Sequence, residues 1–398
     1  MNHNPHIKTV NSYSALKAEM EKIGASKDGI ELMVPKGLHR IVKLENLRNR
    51  EANIIKQELL ACGGDAAISW KALSFGTKRS DALLLANLRQ YSILIDKLRK
   101  QPFDLPRVSD EIKVLLENFA LRKGEMKFRN GTLTFGKKTY IMGILNVTPD
   151  SFSNGSKYLS FDSAIRHAKE MVDYGADIID IGGESTRPYS KKVSADEEWG
   201  RIGKVIEEIR KLDVIISVDT SKYEVAKRSL ELGVDMINDI SGLRGSRKIA
   251  EVIASYDVPV VIMHMLGNPR TMQDNPEYKD VVSDIINFLR KRIEYALKCG
   301  IRKENIIIDP GIGFGKKTEH NIEIIKRLEE FRSLGAPVLV GTSRKSFIGN
   351  VLGLEVNERL EGTIATCVAS IILGADIVRV HDVKEVSRAV RMTDAIFR

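Results

Sequence analysis

The chain has 398 residues, of which 43% are apolar and 29% charged, and this composition excludes a disordered, fibrous or low-complexity protein. Its three cysteines lie far apart without a CxxC pair, so neither a disulfide framework nor a cysteine-ligated zinc site is indicated. The polar start lacks a signal-peptide pattern, and no apolar run approaches the roughly 20 residues of a spanning helix. We therefore expect a cytoplasmic protein with no membrane partner.

The net charge of +9 is distributed unevenly along the chain. Residues 1–138 carry a net charge of +10, and the remaining residues carry −1. A basic segment can bind nucleic acid, but here the cations are dispersed among acids and lie near few aromatic residues. We therefore expect a solvated basic surface and no nucleic-acid partner.

The first third of the chain predicts mainly helices with a few short strands. Apolar residues at near-helical spacing over Leu47–Leu60 predict a helix that Gly63-Gly64 ends. A second helix is predicted over Asp81–Lys100 and a third over about Ser109–Leu121. No chemical constellation occurs in this region, so docking, a subunit interface and partner binding remain open as its role.

From about residue 126, strands alternate with amphipathic helices to the end of the chain. A hairpin is predicted around Gly136-Lys137. Eight near-continuous apolar strands are then predicted at Tyr140–Val147, Asp177–Gly182, Val214–Asp219, Asp235–Ile240, Val258–His264, Asn305–Asp309, Pro337–Gly341 and Asp376–His381. Buried strands separated by crossover helices are typical of a parallel sheet.

Eight strand–helix units in about 260 residues match the size of a (β/α)8 TIM barrel. A doubly wound open sheet more often has five to seven strands. The sequence therefore predicts an α/β protein with two domains. Residues 1–125 form an N-terminal, mainly helical α/β extension of unknown role, and residues 126–398 form the barrel.

In such a barrel the catalytic groups lie where the strands end and the βα loops begin. Polar residues follow all eight predicted strands: Asn146, Glu184–Pro188, Asp219–Ser221, Asn238-Asp239, His264, Asp309, Ser343–Ser346 and Arg379–Asp382. Some of the Asp and Ser residues are expected to cap helices. Capping does not account for the Arg and Lys residues, so we expect the active site at this end.

Two kinds of ligand chemistry are present in this ring. The carboxylates and amide of Asp219, Asn238 and Asp309 suit a flat heterocycle rich in N–H groups, such as a pteridine or a guanine. A second set suits a phosphate or pyrophosphate with Mg2+, and it comprises Asn146, Arg187, Arg379 and His381. Lys345-Ser346 begins a helix, where backbone N–H groups favour an anion such as a carboxylate.

Two segments of the barrel, Ile144–Ser153 and Asp180–Pro188, resemble the signatures of dihydropteroate synthases, the sulfonamide targets of the folate pathway. Further segments resemble the remaining motifs of that family in the same order: Val218–Thr220, Asn238–Ile240, Asp309–Lys316, Ser343–Ser346 and Arg379–Asp382. The resemblance covers residues 138–398. It implies a transferase that condenses 7,8-dihydropterin-6-ylmethyl pyrophosphate with 4-aminobenzoate, giving 7,8-dihydropteroate and pyrophosphate.

The resemblance also implies roles for individual residues, a Mg2+ cofactor and a homodimer. The expected pterin pocket comprises Asp219, Asn238, Asp309 and Lys345, with Phe314 as a further substrate contact. Asn146 is the expected Mg2+ contact, Arg379 and His381 are the expected pyrophosphate contacts, and Ser346 is expected to bind the aminobenzoate carboxylate. Two loops, Thr148–Lys157 and Ser185–Lys191, carry the matching positions Asp150, Phe152, Thr186, Arg187 and Pro188. The expected catalytic residues are Asn146, Asp150, Arg187, Lys345, Arg379 and His381.

Several neighbouring residues are interpreted as structural. His264, between two methionines at a strand end, is expected to pack at the barrel mouth. The Gly311–Gly315 run is interpreted as allowing close backbone approach to the ligand, because a lone glycine pattern is weak evidence of a phosphate loop. Asp180 and Asp239 are expected to cap or support other residues.

Two other functions compete with this interpretation. One is a pterin-dependent methyltransferase that acts with a corrinoid protein, and the other is a non-catalytic pterin-binding protein. The Glu184–Pro188 loop and the Arg379–His381 segment argue against a methyltransferase, which needs no pyrophosphate site. The residues Asn146, Arg187 and Lys345 argue against a non-catalytic protein. A modified aryl amine remains open as an alternative acceptor.

Overall fold

The computed structural model describes residues 3–10, 12–74, 76–120, 124–148, 157–185, 192–268 and 271–398, and the side chains from residue 161 onward in the segment 157–185. The chain divides into two compact units, Met1–Glu117 and Asn118–Arg398. We call them the N-terminal unit and the barrel unit. Within the described part of the chain, no helix is both long and apolar enough to cross a membrane.

The N-terminal unit consists of helices and a three-stranded antiparallel sheet with the strand order β1-β3-β2. Its elements are α1 (Tyr13–Lys22), α2 (Lys27–Gly37), β1 (His39–Arg48), α3 (Asn49–Ala61), β2 (Asp65–Ile68), α4 (Trp70–Leu73), β3 (Arg79–Asn87), α5 (Leu88–Leu98) and α6 (Leu105–Ala120), the last of which crosses the division between the units. Helices α3 and α5 cover one face of the sheet, where Leu59, Leu84 and Tyr91 share a buried core.

The first predicted helix begins later than expected, because Leu47 belongs to β1 and α3 starts only at Asn49. Its predicted end is observed. Gly63, with a φ of +81°, donates its N–H to the Leu60 carbonyl at 2.9 Å, and the Gly64 N–H reaches the Leu59 carbonyl at 3.0 Å. This left-handed turn satisfies carbonyl groups that a helix end otherwise leaves unpaired.

The helix predicted over Asp81–Lys100 is wrong in its first half, where the structure has strand β3. Alternate residues of β3 are buried, as a strand with one covered face requires, and Leu84 is fully buried between exposed Leu83 and Leu85. Three consecutive leucines fit a helical and a strand period equally well. The segment pairs antiparallel with β1 along nearly its whole length, and this pairing makes it a strand.

The hairpin predicted around Gly136-Lys137 is also wrong. The antiparallel pair is β4 (Glu125–Phe128) with β5 (Gly131–Thr134), and Phe135 and Lys138 share only an isolated bridge. Met126, Leu133 and Phe135 pack with the apolar residues at the amino-terminal end of the barrel interior. The hairpin therefore closes the bottom of the barrel, opposite to the end where the polar residues lie.

The barrel consists of eight parallel strands in the order β11-β10-β9-β8-β7-β6-β13-β12. The strands are β6 (Tyr140–Asn146), β7 (Ile178–Gly182), β8 (Ile215–Asp219), β9 (Met236–Asp239), β10 (Val260–Met263), β11 (Ile306–Asp309), β12 (Leu339–Val340) and β13 (Ile377–Val380). A bridge between Ile308 and Val338 joins β11 to the start of β12 and closes the ring. The predicted fold class is confirmed.

Helices follow the strands and pack around the outside of the barrel. They are α7 (Lys157–Asp173), α8 (Ala195–Ile209), α9 (Tyr223–Glu231), α10 (Arg247–Tyr256), α11 (Val281–Lys298), α12 (Thr318–Lys326), α13 (Ser346–Leu352), α14 (Leu360–Ile372) and α15 (Val383–Phe397). Outward-facing strand residues such as Ile179 and Val218 form one large core with these helices.

Inward-facing residues alternate with the outward-facing ones and form layers inside the barrel. The lower layer is entirely apolar and comprises Met142, Ile178, Ile215, Met236, Val261, Ile307, Leu339 and Ile377. Two residues further along, where the strands point inward again, polar side chains replace them on most strands. Because side chains on a strand alternate with a period of two residues, successive inward positions change from an apolar core to a polar mouth.

Replacement of Leu83 and Leu84 tests the correction to β3. In the predicted helix both leucines are on the apolar side, whereas in β3 Leu84 is fully buried and Leu83 is 38% exposed. We expect Leu84→Ala to lower the opening free energy of β3 amides by about 2–5 kcal/mol, because it leaves a cavity. Leu83→Ala should lower it by less than about 1 kcal/mol. Native-state hydrogen exchange measures both, and equal losses would contradict the strand.

Candidate active site at the carboxyl ends of the barrel strands

The carboxyl ends of the barrel strands bring most of the described candidate residues together. The inward-facing residues above the apolar layer include Asp180 on β7, Ser217 on β8, Asn238 on β9, Met263 on β10, Asp309 on β11 and Arg379 on β13. Asp219 and Asn146 each lie one inward position higher, at the ends of β8 and β6. The pleat of the strands therefore explains why these side chains converge.

Arg379 connects this layer across the mouth of the barrel. Its Nε donates to Asp180 Oδ2 at 2.6 Å, and its Nη2 donates to Asp219 Oδ2 at 2.8 Å. The same Asp180 oxygen accepts Asn238 Nδ2 at 2.9 Å. The sequence predicted Arg379 as a pyrophosphate contact, but two of its nitrogens are already bonded to carboxylates.

The Asn238 side chain gains a defined orientation from this network. Its Nδ2 faces the Asp180 carboxylate, so its carbonyl oxygen remains as an acceptor. Asp180 is fully buried, and within the described residues its second oxygen, Oδ1, has no hydrogen-bond partner. Ser217 Oγ, on the residue that pairs with Asp180 in the sheet, is likewise buried without a described partner. The mouth therefore presents several buried polar groups that are not fully satisfied.

Burial alters the proton affinity of both pocket carboxylates. It raises the pKa of Asp219 to about 7, although the adjacent Arg379 guanidinium acts in the opposite direction. Burial also raises the pKa of Asp309 to about 6, against the Gly311 N–H, which Asp309 Oδ1 accepts at 2.6 Å. Both carboxyl groups therefore change protonation close to neutral pH.

Lys345 precedes α13 and lies beside the glycine-rich loop that follows β11. Its ammonium is 4.1 Å from the centre of the Phe314 ring, a cation–π contact. Burial and the neighbouring Arg379 lower the pKa of Lys345 to about 8. Phe314 is 8% exposed and packs with Ile240 and methionines from three neighbouring positions, Met263, Met265 and Met272.

The glycine-rich loop is shaped by contacts within the protein. Gly311 has a φ of +69°, and a Cβ at this position would lie 1.9 Å from the His264 carbonyl oxygen. Only glycine fits there. Lys316 Nζ, buried behind the loop, is 3.0 Å from His264 Nδ1 and donates to the Phe314 carbonyl at 3.0 Å.

His264 packs at the mouth as the sequence predicted. It is 5% exposed, and its ring lies edge-on to Phe288 with the centroids 4.8 Å apart. Burial and the Lys316 ammonium keep its pKa far below the usual value. Asp239 is a capping residue, since its carboxylate accepts the N–H groups of Ser241 and Leu243 at 2.8 and 2.9 Å.

His381 is connected to the loop that follows β12. Its Nδ1 is 3.0 Å from Ser343 Oγ, and its backbone N–H donates to the same hydroxyl at 3.2 Å. Next to this pair, Arg344 donates from Nε and Nη2 to the two oxygens of Asp382, at 3.0 and 2.5 Å. Two adjacent links therefore join the loops after β12 and β13.

Of the remaining predicted residues, two are described and five lie outside the described residues. Asn146 is half-buried at the end of β6, and Ser346 is exposed at the first position of α13. The other expected contacts are outside the described residues: Asp150, Phe152, Thr186, Arg187 and Pro188. Sequence reasoning missed Ser343 as a partner of His381 and gave Asp180 no specific partner, because both contacts join positions far apart in the chain.

A (β/α)8 barrel with ionisable and amide groups at the carboxyl ends of its strands defines an enzyme of the TIM-barrel class. Residues 142–381 match the model of the family described as pterin binding enzyme. A dihydropteroate synthase of Clostridium beijerinckii is 50% identical over 275 residues, covering 69% of this chain and 100% of that protein. The chain belongs to the pterin-binding enzyme family.

A second relative extends over nearly the whole chain. It is a probable bifunctional folylpolyglutamate synthase/dihydropteroate synthase of Halobacterium salinarum, 41% identical over 391 residues. The match covers 97% of this chain and 46% of that longer protein. The N-terminal unit therefore has a counterpart in a relative, next to a barrel of the same family.

Solved structures support the same assignment. A dihydropteroate synthase from Clostridium difficile with pteroic acid is 55% identical and has a TM-score of 0.64, covering 67% of this chain and 99% of that one. The Yersinia pestis enzyme with a sulfonamide drug is 42% identical, with a TM-score of 0.65 and coverages of 68% and 98%. The Thermus thermophilus enzyme with 4-aminobenzoate is 37% identical, with a TM-score of 0.62 and coverages of 69% and 100%. These relatives confirm the resemblance and the prediction of a transferase.

Proposed function

We propose that this transferase is a dihydropteroate synthase, which joins 7,8-dihydropterin-6-ylmethyl pyrophosphate to 4-aminobenzoate. The observation that carries the proposal is the network of Asp180, Arg379, Asp219 and Asn238, which lies with Asp309 at the inward-facing polar end of the barrel. The network leaves acceptor atoms available for a flat ligand that is rich in N–H groups. The relatives with the printed name of this activity support the same conclusion.

The pterin is proposed to bind at Asp219, Asn238 and Asp309. The Asn238 carbonyl oxygen and the ionised Asp309 carboxylate both accept hydrogen bonds, and Asp219 has one oxygen beyond the one that bonds to Arg379. Lys345, held over the Phe314 ring, adds a donor near Asp309 and Asp219. Phe314 and the nearby methionines offer an apolar surface for a planar ring.

The proposed reaction needs no protein nucleophile. The bond between the methylene carbon and the pyrophosphate oxygen breaks, and its electron pair leaves with the oxygen. The electron-rich dihydropterin ring shares the positive charge on the methylene carbon. The amine nitrogen of 4-aminobenzoate then forms the new C–N bond and releases one proton to solvent. The chain's residues bind and orient both substrates and stabilise the charge that develops.

Among the described residues, the proposed protein ligand of Mg2+ is the side-chain amide oxygen of Asn146. Asn146 Oδ1 lies 3.6 Å from the point that a Cβ on Gly182 would occupy, so the amide lies beside the end of β7. No group of three or more His, Cys, Asp or Glu side chains that could hold a metal ion occurs among the described residues. The donor set fits an ion that keeps waters and pyrophosphate oxygens as its other ligands. Bound in this way, Mg2+ would add positive charge to the leaving group.

The leaving group is proposed to lie near His381 and Arg379. Burial, together with the neighbouring Arg379, lowers the pKa of His381 to about 4, so its ring is neutral at physiological pH. A neutral ring has one N–H donor and no formal charge to offer. Ser346 is proposed to bind the carboxylate of 4-aminobenzoate, and the five positions outside the described residues are proposed contacts as the resemblance implies.

A turnover assay tests the proposed reaction and separates it from its competitors. We expect pyrophosphate release that requires both the dihydropterin pyrophosphate and 4-aminobenzoate. His381→Ala should reduce this turnover while leaving the affinity for a pterin that lacks pyrophosphate unchanged, because its ring is not part of the acceptor set. Release without the amine, or methyl transfer to a corrinoid, would contradict the proposal. Equal losses in turnover and pterin affinity would contradict the place of His381.

Pterin affinity is expected to increase with pH between about 5 and 7. Only the ionised Asp309 accepts two N–H bonds, and its pKa is raised to about 6, so binding releases a proton below that pH. Protonation of Asp309 should therefore lower the affinity by up to about tenfold per pH unit below 6, and protonation of Asp219, whose pKa is raised to about 7, should add to this fall. Calorimetry with a pterin that lacks pyrophosphate measures this slope.

The Asp309→Asn variant is the matched control for the pH experiment. It keeps the shape of the side chain but cannot ionise, so its affinity should be weaker and its slope shallower. A remaining slope is expected from Asp219, whose pKa is raised to about 7. An affinity of the unmodified protein that stays constant from pH 5 to 8 would contradict the role of both carboxylates.

The two-domain organisation and the assembly are proposals as well. We place residues 1–125 in a domain that takes no part in the chemistry. Exposed apolar residues at the end of α13 and in the turn that follows it, namely Val351, Leu352 and Val356, support a homodimer through this part of the barrel. The three cysteines are unpaired, which supports a reducing compartment such as the cytoplasm.

A chain that begins at Asn118 tests whether the N-terminal unit contributes to catalysis. This start keeps the bond from Asn118 Nδ2 to the Ser333 carbonyl at 3.1 Å, which a start at residue 125 would remove. We expect specific activity within a few-fold of the full chain, because all candidate residues remain. A loss of about a hundredfold, or some 2.7 kcal/mol of barrier, in a truncated chain with normal circular dichroism would contradict this expectation.

A further inference from the structure

We propose that Ser343 is a positioning residue that holds the His381 ring with its proton on Nε2, so that Nε2–H donates a hydrogen bond to the pyrophosphate leaving group. The inference rests on the proposed function, since it assumes that the leaving group lies at His381. It concerns a residue that lies in one of the segments resembling the family but for which neither the sequence nor the resemblance indicated an individual role. Its evidence is the pair of contacts at the Ser343 hydroxyl.

The hydrogen atoms at this hydroxyl can be assigned from its partners. The backbone N–H of His381 can only donate, so Ser343 Oγ accepts it at 3.2 Å. Ser343 is 5% exposed, and among the described residues the other partner of its hydroxyl is His381 Nδ1, at 3.0 Å. The single hydroxyl proton therefore goes to Nδ1. Since Nδ1 accepts, the proton of a neutral ring must be on Nε2.

The surroundings keep the ring neutral, so that its tautomer decides what it can donate. Besides burial, the cationic groups of Arg379, Arg344 and Lys345 disfavour a second proton on His381, and the Asp382 carboxylate opposes them only in part. A doubly protonated ring would donate from both nitrogens whatever Ser343 did. In a neutral ring, the wrong tautomer would present an unprotonated nitrogen to an anion and repel it.

The backbone around the pair is held firmly enough to maintain this geometry. Arg344, the residue after Ser343, has a φ of +56° and bonds through two nitrogens to Asp382, the residue after His381. The Arg344 N–H also donates to Thr363 Oγ1 at 3.0 Å, and the Arg344 carbonyl accepts Arg359 Nη1 at 3.1 Å. These bonds hold the two loops at a fixed separation, and the Ser343 hydroxyl lies between them.

Nitrogen-15 NMR of the histidine-labelled full chain at pH 7.5 reads the tautomer without substrate. His381 is assigned by loss of its signals in His381→Gln. We expect the unmodified protein to show a protonated Nε2 and an unprotonated, hydrogen-bonded Nδ1. In Ser343→Ala, Nδ1 should shift toward the value of a free acceptor, and a second tautomer should become populated. A proton on Nδ1 in the unmodified protein, or unchanged ring signals in Ser343→Ala, would overturn the inference.

Kinetic measurements distinguish positioning from a general structural role. Ser343→Ala should lower kcat by about 10- to 100-fold, the effect of one hydrogen bond to a charged group, with the KM for 4-aminobenzoate unchanged. Affinity for a pterin without pyrophosphate should also stay unchanged. Ser343→Thr keeps the hydroxyl and should restore most of the turnover together with the native ring signals.

The matched control is Ser229→Ala, which removes an equally buried hydroxyl that donates to the Val225 carbonyl in α9, away from the mouth. It should leave both kcat and the His381 signals unchanged. Parallel losses in kcat and pterin affinity in Ser343→Ala would overturn the inference in favour of a structural role. If the unmodified protein shows the Nε2–H tautomer but no aminobenzoate-dependent turnover, the proposed function has failed, and with it the assignment of the leaving group.

Discussion

The polar end of the barrel depends on the Arg379 guanidinium and the two carboxylates that it joins. Asp180 is fully buried, and the side chain of Asp219 is only 10% exposed, so each would be costly to ionise without a partner. In the sheet, β13 lies next to β6, and β7 and β8 follow on the far side. Arg379 therefore reaches past β6 to hold two further strands, and it fixes Asn238 through Asp180.

This arrangement limits what Arg379 can do in the reaction. Removal of Arg379 would leave two buried carboxylates without their cation. It would therefore affect the pterin pocket as well as the leaving group. The side chain cannot be treated as a pyrophosphate contact alone. His381 differs in this respect, because its described partners lie in the loop after β12 and outside the carboxylate network. Of the two residues, His381 therefore reports more directly on the leaving group.

The barrel was predictable from the sequence because eight near-continuous apolar strands recur, and polar residues lie at or just after the end of each. Strand β3 was not, since three consecutive leucines satisfy two periods, and the pairing with β1 and β2 selects one of them. The same limit applies in the site. That Asp219 and Asp309 lie at strand ends follows from the sequence, but the pairing of Asp180 with Arg379, 199 positions apart, depends on how the strands curve into a ring.

The balance of charge at the mouth gives a physical reason for the form in which Mg2+ is expected. The network around Arg379 and Asp309 contains three carboxylates and three cations: Asp180, Asp219 and Asp309, and Lys316, Lys345 and Arg379. Their charges nearly cancel, and both histidines are neutral because burial lowers the pKa of each ring. A pyrophosphate ester brings several negative charges into this balanced site. A cation that arrives with the pyrophosphate would offset part of this negative charge. The proposed Mg2+ fits this role as part of the substrate complex, with Asn146 as its proposed protein ligand.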